Sequence, residues 1–515
     1  MSPNDNRRLI TALRNSAPQE GTEVIETHIS TVLLVGDYAY KIKKPLDLGF
    51  LDFSTLQRRH HFCEEEVRLN GRLAPDTYLD VVAITGTVAA PQLGGEGEAI
   101  EYAVRMRRFP AEGLLSQHAD LLTTEMLDTI ADRLARFHGE VDVAGADVGY
   151  GDPEILIEPM RHNFDQVDRL VDDAAAVERV TRLAHWTEER YQQLHGQLLK
   201  RKAEGAIREC HGDLHLGNIT LVEGEALIFD GIEFSPELRW IDTMSELAFL
   251  TMDLEERGRS DLSGRLLNRY LELTGDYGGL GVFRFYQVYR AMVRAKVSVI
   301  RLRQESVDET ERRQMMVDFN TYIDLAEHYT QVQAPALVIT HGLSGSGKST
   351  QAARCTEVLP AVRLRSDVER KRLAGFAPAE MSDSALDSGI YTADFSRRTY
   401  ERLLELAASV VAAGFIAIVD ATFLKQGQRW PFQQLAERAA VPFIILDFDV
   451  PERELRVRIE RRLQEGADPS EANLQVLAQQ IATEEPLTVE EQTHALTLGE
   501  APLNPADLKA CLNSR

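Results

Sequence analysis

The sequence has few cysteines and no long apolar run. Its 515 residues include four cysteines, at positions 63, 210, 355 and 511, and no two of them form a C-x-x-C pair. This spacing argues against a disulfide framework or a cysteine-based zinc site and is typical of a reducing compartment. No segment approaches the roughly 20 apolar residues of a membrane span, and the N-terminal segment MSPNDNRRLITALRNS lacks the apolar core of a secretory signal. We therefore expect a cytoplasmic protein without a membrane segment.

Positive charge is also scarce. The 57 lysines and arginines are outnumbered by 81 aspartates and glutamates, which gives a formal net charge of −24. Such a charge repels long nucleic acid unless a local basic cleft overrides it, whereas a polycationic substrate is compatible with it. The composition therefore favours small-molecule chemistry, and we do not expect nucleic acid as a partner.

The first two thirds of the chain change in character near residue 120. The segment TVLLVGDYAYKIKK predicts two strands that turn at Gly36-Asp37, and further strands are predicted at 80–87 and 100–109. From Thr123 onward, apolar residues recur at helical spacing. We predict a small β-rich lobe at 1–120 and a larger helical lobe at 121–331, which together form an α+β bilobal domain.

The last third alternates between strands and helices. Apolar strands are predicted at 336–340, 362–364, 415–419, 443–448 and near 495–498. Helical sequence separates them, and this order is typical of a parallel, doubly wound α/β sheet with helices on both faces. We predict a third part of this type at 332–515.

A phosphate-binding motif opens this part. The segment Gly342-Leu-Ser-Gly-Ser-Gly-Lys-Ser349 matches G-x-x-x-x-G-K-[ST] between a predicted strand and a helix. Its glycines let main-chain N–H groups surround phosphates, the lysine neutralises β/γ-phosphate charge, and the last serine ligates Mg²⁺. A flexible Ser/Gly loop is the alternative. The predicted ATP-binding residues are Gly342, Gly345, Ser346, Gly347, Lys348, Ser349 and Thr350, with Ser349 also a metal ligand.

Two carboxylates follow predicted strands in the same part. The strand-end edge of a doubly wound sheet faces the substrate crevice. There Asp367 can accept a hydroxyl proton, while Arg370, one helical turn later, holds a phosphate or the acceptor. Asp420 ends the next strand and can bind Mg²⁺ through water or orient the acceptor. Helix capping is the alternative for both carboxylates.

The P-loop followed by D-x-x-R resembles the P-loop kinases related to polynucleotide kinase and zeta toxin. This resemblance implies that Asp367 is the catalytic base. It also implies a lid helix that supplies arginines to the phosphates, and the L-x-x-R-x-x-R pattern assigns that role to Arg458 and Arg461. Glutamates are interspersed there, so an ordinary charged helix is the alternative. An N-K-x-D motif is absent from the sequence, which argues against a GTP switch.

A second motif, His211-Gly-Asp-Leu-His-Leu-Gly-Asn218, has the H-x-D-x-x-x-x-N spacing. In such a loop Asp213 accepts the proton of the acceptor hydroxyl and Asn218 binds Mg²⁺. A strand at 226–229 then ends in Asp230, a predicted ligand of the metal. Gly-Ile-Glu follows Asp230 in place of Phe-Gly. With its motif H-G-D-L-H-x-G-N, the chain resembles the aminoglycoside phosphotransferase branch of the kinase-like superfamily. The resemblance covers roughly residues 20–320.

This kind of site also needs a strand lysine paired with a helix glutamate. Ala39-Tyr-Lys41 has the A-x-K spacing, and Lys43 lies on the same strand face. We choose Lys41 and pair it with Glu66 as ATP-binding residues; Lys43 and a surface position for the glutamate are the alternatives. For His215 and Glu233 we expect structural roles. The G-x-G-x-x-G loop is absent, which argues against protein phosphorylation more than against ATP binding.

The sequence therefore predicts an ATP- and Mg²⁺-dependent phosphotransferase with two nucleotide sites that transfers the γ-phosphate to hydroxyl groups of small molecules. Tyr286, Arg290 and Arg294 share one helix face, in a region that forms the acceptor pocket of the resembling phosphotransferases. They would suit an anionic acceptor, and structural ion pairs are the alternative. Two other functions stay open: a nucleotide-gated regulatory ATP-binding protein, and a nucleic-acid 5′-end kinase in the P-loop part, with the arginine-rich segment 453–462 as its groove.

Overall fold

The chain forms two compact units in the computed structural model. The structure describes residues 2–16, 22–49, 51–302, 308–331, 334–378, 380, 389–465, 473–499 and 503–513. The first unit comprises Met1–His162 and Leu198–Asp253, and the second comprises Asn163–Gln197 and Leu254–Arg515. The predicted domain bounds stay predictions, and the boundary expected at 331/332 adjoins residues 332–333, which lie outside the described residues. Within the described ranges, no helix has the length and apolar character to cross a membrane.

The first unit begins with an antiparallel sheet in the strand order β1-β2-β3-β6-β4-β5. The elements are α1 (Pro3–Ser16), β1 (Glu23–Glu26), β2 (Ser30–Val35), β3 (Tyr38–Lys43), α2 (Leu56–Asn70), β4 (Tyr78–Thr87), β5 (Ala90–Leu93) and β6 (Glu101–Arg107). The predicted hairpin is β2–β3, and Gly36 at its turn has the positive φ of 58° that favours glycine there. Helix α2 begins at a Thr55 cap, whose hydroxyl accepts a hydrogen bond from the Arg58 N–H.

The remainder of the first unit is mainly helical. Its elements are α3 (Thr124–Glu140), α4 (Pro153–Leu170), α5 (Ala174–Ala203), β7 (Ile207–Glu209), β8 (Ile219–Val222), β9 (Glu225–Ile228), α6 (Pro236–Arg239), β10 (Trp240–Asp242) and α7 (Thr243–Glu256), of which α4, α5 and α7 extend into the second unit. Strands β8 and β9 form a hairpin in which Ile219 faces Ile228. The hairpin therefore brings the residues before β8 next to those after β9.

The second unit contains a parallel sheet in the order β12-β13-β11-β14-β15. Its elements are α8 (Ser260–Thr274), α9 (Leu280–Leu302), α10 (Glu309–Thr330), β11 (Ala336–His341), α11 (Lys348–Val358), β12 (Ala361–Arg365), α12 (Ser366–Leu373), α13 (Ala393–Ala412), β13 (Ile416–Asp420), α14 (Gln426–Ala439), β14 (Phe443–Phe448), α15 (Glu452–Glu465), α16 (Leu474–Thr483), α17 (Val489–Gln492), β15 (Ala495–Leu498) and α18 (Pro505–Asn513). Every residue of β11 and β13 is buried, as expected for central strands covered on both faces. The predicted fold class, α+β followed by a doubly wound α/β sheet, is confirmed.

Candidate functional site

Three predicted residues of the first unit meet around one ammonium group. The Lys41 Nζ on β3 lies 2.7 Å from the Glu66 Oε1 on α2 and 2.5 Å from the Asp230 Oδ1 after β9. Burial lowers the pKa of Lys41, but the charges of Asp230 and Glu66 outweigh burial and hold this pKa well above its usual value. Lys41 is therefore charged at neutral pH, although it is buried.

The alternative lysine has a different set of partners. Lys43 contacts the other oxygen of Glu66, at 2.7 Å, and is ion-paired with Glu233. Its side chain is only 1% exposed, so it cannot reach a ligand in the solvent. The contacts thus favour Lys41 as the ATP-binding lysine, which stays a prediction, and they give Glu233 and Lys43 structural positions.

Asp230 has an unusual main-chain conformation. Its φ of 63° lies in the left-handed region, and its N–H donates to the Tyr78 hydroxyl at 3.0 Å. Residues other than glycine are uncommon in this region and cluster at functional sites. The Asp230 side chain is 45% exposed, so one face of this carboxylate is open to a ligand.

The loop before β8 holds its carboxylate and amide together. The Asn218 Nδ2 donates to the Asp213 Oδ2 at 3.1 Å and to the Asp213 main-chain oxygen at 2.9 Å. The His215 Nε2 lies 3.4 Å from the same carboxylate oxygen. The Phe229 N–H donates to the Asn218 main-chain oxygen at 3.0 Å, which fixes Asp230 beside this loop. We call Lys41, Glu66, Asp213, Asn218 and Asp230 the kinase-like site.

Helix α7 supports this loop through residues that the sequence analysis missed. Glu246 accepts the main-chain N–H groups of His211, at 3.1 Å, and Gly212, at 2.7 Å. Seven residues further along α7, Asp253 accepts a hydrogen bond from the Leu216 N–H at 2.8 Å. Glu246 and Asp253 are seven residues apart in α7, and this spacing was the available signal because it places both side chains on the same helix face.

The environment of Glu246 keeps it ionised. Burial raises the pKa of this carboxyl, but the His138 hydrogen bond, at 3.0 Å, and the His138 and His211 charges outweigh burial, and the pKa falls to about 2. His138, Cys210 and Glu246 are close enough to share a metal ion. Glu246 instead accepts the main-chain N–H groups of His211 and Gly212 and is hydrogen-bonded to His138, which identifies this pair as support for the loop.

The P-loop has the main-chain conformation that its sequence predicts. Gly342, Gly345 and Gly347 have φ values of 140°, 85° and 94°, and α11 begins at Lys348. A Cβ atom on Gly342 would lie 2.8 Å from the Phe448 main-chain oxygen, so this position requires glycine. Ser346 is buried and Ser349 half-buried, whereas Thr350 is exposed.

The P-loop lysine contacts its own loop. The Lys348 Nζ donates to the main-chain oxygens of Gly342, at 2.8 Å, and Leu343, at 2.6 Å, and lies 3.2 Å from the Ser346 hydroxyl. On the lid helix α15, the Arg458 guanidinium lies beside Gly347, since a Cβ atom there would be 3.7 Å from the Arg458 Nη1. Arg461 is exposed on the same helix. The geometry therefore brings Arg458 to the loop, and the role of Arg461 at the phosphates stays a prediction.

Asp367 and Arg370 lie in α12, directly after β12. Neither caps the helix, because its N-cap residue is Arg365. Arg370 is buried, and its Nη1 donates to the Ile390 main-chain oxygen at 2.9 Å and to the Ser396 hydroxyl at 3.1 Å. Burial raises the pKa of Tyr400 on α13, and the charges of Arg370 and Asp367 both act on this hydroxyl. Tyr400 is therefore a neighbour of the predicted base that the sequence did not reveal.

Asp420 is a buried carboxylate with an unused oxygen. Helix α14 begins at Gln426 with Lys425 as its N-cap, so Asp420 does not cap it. The Asp420 Oδ2 has no hydrogen-bond partner among the described residues, and the Arg365 Nε lies 3.9 Å from it. A buried, unsatisfied carboxylate oxygen fits a hard cation such as Mg²⁺. We call the P-loop, Asp367, Arg370 and Asp420 the P-loop site.

The residues considered for an anionic acceptor lie on α9 in the second unit. Tyr286 and Arg290 are buried, and the Arg294 Nε lies 3.4 Å from the Tyr322 hydroxyl of α10. The loop with the H-x-D-x-x-x-x-N motif belongs to the first unit. An acceptor role for these three residues stays a prediction.

The comparisons with known proteins match both parts of the chain. Residues 337–487 match the sequence model of an AAA domain family, AAA_33. The proteins Rv2004c of Mycobacterium tuberculosis and Mb2027c of Mycobacterium bovis, both named as uncharacterized proteins, are each 32% identical to this chain over 403 residues, which cover 78% of this chain and 78% of theirs.

Solved structures resemble the chain at low identity. Amicoumacin kinase hAmiN, in complex with AMP-PNP, Ca²⁺ and Ami, is 11% identical with a TM-score of 0.40 and covers 63% of this chain and 96% of its own. The APS kinase CysC of Mycobacterium tuberculosis is 18% identical to this chain with a TM-score of 0.26. The match covers 35% of this chain and 99% of the CysC chain. The match to the AAA domain family lies within the predicted P-loop part, and the fusion of this part with an aminoglycoside phosphotransferase-like domain stays a prediction.

Proposed function

The chain belongs to the same family as the mycobacterial proteins Rv2004c and Mb2027c, and on this premise we propose that it is a phosphotransferase with two ATP sites, each serving a small-molecule hydroxyl acceptor. The proposed enzyme class, an ATP-dependent kinase, is the one that the sequence predicts. The observation that carries the proposal is that each compact unit contains a lysine predicted to bind phosphate together with a candidate base. These are Lys41 and Asp213 in the first unit, and Lys348 and Asp367 in the second.

In the kinase-like site, Asp213 is the group that accepts the proton of the acceptor hydroxyl, because its carboxylate is partly exposed and is oriented by Asn218. Lys41, held in its charged form, neutralises the phosphates. Asn218 and Asp230 supply the oxygen atoms that would hold Mg²⁺, which when bound offsets phosphate charge. Glu66 orients Lys41 through their 2.7 Å contact.

In the P-loop site, the main-chain N–H groups between Gly342 and Ser349 hold the phosphates at the N-terminus of α11. Lys348 exchanges its contacts with its own loop for contacts with the phosphates, and Arg458 adds a second cation beside Gly347. Asp367 accepts the proton of the acceptor, while the buried Arg370 holds an anionic part of it. Ser349 and Asp420 are the residues that would hold Mg²⁺.

A small-molecule acceptor is the substrate class that the chemistry supports best. The net charge of −24 disfavours long nucleic acid. The helix that would form a basic groove pairs Arg456 with Glu452 and Arg458 with Glu454, which offsets much of its positive charge. A purely regulatory role requires no candidate bases, yet Asp213 and Asp367 are both present.

The test is a screen of hydroxyl metabolites with γ-labelled ATP and the full chain. The wild type is compared with Asp213→Ala, with Lys348→Ala and with the double variant. We expect each single change to abolish transfer to one set of acceptors and to spare the other set.

The control for folding is the melting temperature of each variant. Nucleotide binding without transfer to any acceptor would instead favour the regulatory function. Transfer to oligonucleotide 5′ ends that weakens steeply with salt and depends on Lys348 would favour the end kinase.

A further inference from the structure

One face of α8 is attached to the P-loop part of the second unit. Gly264, Asn268 and Glu272 are spaced four residues apart and so form one helical stripe. A Cβ atom on Gly264 would lie 2.1 Å from the Thr356 main-chain oxygen of α11. The Asn268 side chain donates to the Ala361 main-chain oxygen at 2.9 Å and accepts from the Arg363 N–H at 2.7 Å. Helix α8 therefore contacts both the P-loop helix and the edge strand β12.

Glu272, the last residue of this stripe, binds a side chain that reaches the P-loop helix. Its Oε1 accepts hydrogen bonds from Arg363 on β12, from Nε at 3.0 Å and from Nη2 at 2.5 Å. The remaining nitrogen, Arg363 Nη1, donates to the main-chain oxygen of Ser349 at 3.0 Å. Glu272 thus fixes an arginine whose other end holds the residue predicted to ligate the metal.

Arg365 lies between the second carboxylate oxygen of Glu272 and Asp420, the other predicted Mg²⁺ ligand. The Arg365 Nη1 lies 3.9 Å from the Glu272 Oε2, and the Arg365 Nε lies 3.9 Å from the Asp420 Oδ2. Arg365 and Asp420 are register partners at the ends of β12 and β13. One guanidinium is therefore shared between two buried carboxylates, and at neither does it reach hydrogen-bond distance.

We propose that Glu272, anchored by Arg363, is a positioning residue for the P-loop site and keeps Arg365 away from Asp420. Glu272 lies outside the P-loop motif, on α8, 70 residues before Gly342 in the chain. The proposal rests on the proposed function of the P-loop site. It adds that the affinity of this site for Mg²⁺ is set by a carboxylate on α8.

The physical reason is competition between two cations for one carboxylate. When Glu272 is ionised, it attracts Arg363 and Arg365, and the Asp420 Oδ2 has no hydrogen-bond partner among the described residues. Glu272→Gln removes that charge with little change of shape. Of the side chains at positions 272 and 420, only Asp420 then carries a negative charge to attract Arg365. An ion pair between Arg365 and Asp420 opposes the binding of a metal at the same Asp420 oxygen.

The experiment measures how strongly Mg²⁺ and nucleotide binding are coupled. The parent is the full chain with Lys41→Met, so that the kinase-like site is weakened, and the probe is the fluorescent nucleotide mant-ADP. Binding by the P-loop site is defined as the part lost on Lys348→Ala. The quantity compared is the ratio of mant-ADP affinities with and without Mg²⁺, which needs no turnover.

We expect Glu272→Gln to lower this ratio about tenfold, and the further change Arg365→Met to return it to within about threefold of the parent. Arg265→Ala is the matched control, because Arg265 also joins α8 to α11, through Glu357 at 3.2 Å, without contacting Arg363. We expect it to leave the ratio unchanged.

A ratio that Glu272→Gln leaves unchanged in a folded protein overturns the proposal, as does a loss that Arg365→Met fails to reverse, since a merely structural defect would persist. If Glu272→Gln does not fold, Arg365→Met alone decides: the ratio must equal or exceed that of the parent. If the parent shows no Lys348-dependent binding, the proposed function of the P-loop site fails first, and this inference fails with it.

Discussion

The two proposed nucleotide sites of this chain are built from different groups, side chains in one and main-chain amides in the other. The kinase-like site depends on side chains distant in sequence, such as Lys41 and Asp230, which are separated by 189 residues. The proposed P-loop site would hold phosphate with consecutive main-chain groups between Gly342 and Ser349, where three glycines have positive φ values. A site made of ionisable side chains needs a complete fold and the correct protonation states, whereas a main-chain site needs mainly local geometry. The difference teaches which perturbations should separate the two sites.

The largest effect is expected from removing one candidate base. Asp367→Asn should lower transfer at the P-loop site roughly 10²- to 10⁴-fold, because the acceptor hydroxyl loses its proton acceptor. Transfer at the kinase-like site should not change. Initial rates with an acceptor of each site measure the effect, and mant-ADP affinity should stay within about threefold. Asp394→Asn, on the exposed start of α13, is the control, and an equal loss there would contradict the assignment.

The two lysines of β3 should separate binding from stability. Lys43→Met leaves Glu66 and Glu233 buried with less counter-charge, and we expect it to destabilise the first unit by roughly 3–5 kcal/mol. Lys41→Met should weaken ATP binding more and stability less, because its partner Asp230 is half-exposed. Thermal melting and nucleotide titration of both variants test this. Weaker ATP binding in Lys43→Met than in Lys41→Met would reverse the assignment.

Low pH should destabilise the first unit, which holds the kinase-like site, before it affects the P-loop site. The pKa of Glu246 is about 2 in the folded chain, below the usual value of 4.5, so its stabilisation is fully present above pH 4.5 and is lost as the pH falls toward 2. The shift corresponds to about 3 kcal/mol. In a chain with Trp186→Phe and Trp430→Phe, Trp240 reports urea unfolding of the first unit.

In that background, the difference in stability between the parent and Glu246→Gln should shrink between pH 6 and pH 3. A difference that is constant over this range would show that Glu246 does not carry the effect.

The smallest effect is expected on the lid helix. Arg458→Ala should lower turnover at the P-loop site about tenfold or less, because Arg458 lies beside Gly347 but is one cation among several. Arg456→Ala is the matched control: Arg456 is exposed on the same helix and pairs with Glu452. Steady-state rates of both variants measure the difference, and equal losses would remove Arg458 from the site.

Local patterns predicted much of the second unit. Strands β14 and β15 were predicted with the bounds that the structure has, and β11 and β13 differ by a residue at their ends. Continuous apolar runs between helices are an unambiguous signal for buried parallel strands. Helix α1 and strand β1 were missed, because α1 is rich in polar residues and β1 is short and mostly exposed.

The candidate sites were predictable where the motif is contiguous. Lys41 and Lys43 lie two residues apart on one strand face, so the sequence could not separate them, and only their partners Asp230 and Glu233 do. Glu66 is buried whereas Glu64 is exposed, so the surface position considered as the alternative for Glu66 is wrong. Tyr400 and Glu272 make long-range contacts that no local spacing encodes.

The pairing of Asn268 with β12 has a practical consequence. Its amide occupies the main-chain groups of Ala361 and Arg363 at the rim of the sheet, where otherwise they would be open to another chain. A fragment that started at the P-loop strand would lose this cover, and two such fragments could join edge to edge. Recombinant pieces of this unit should therefore begin ahead of α8 if they are to stay monodisperse.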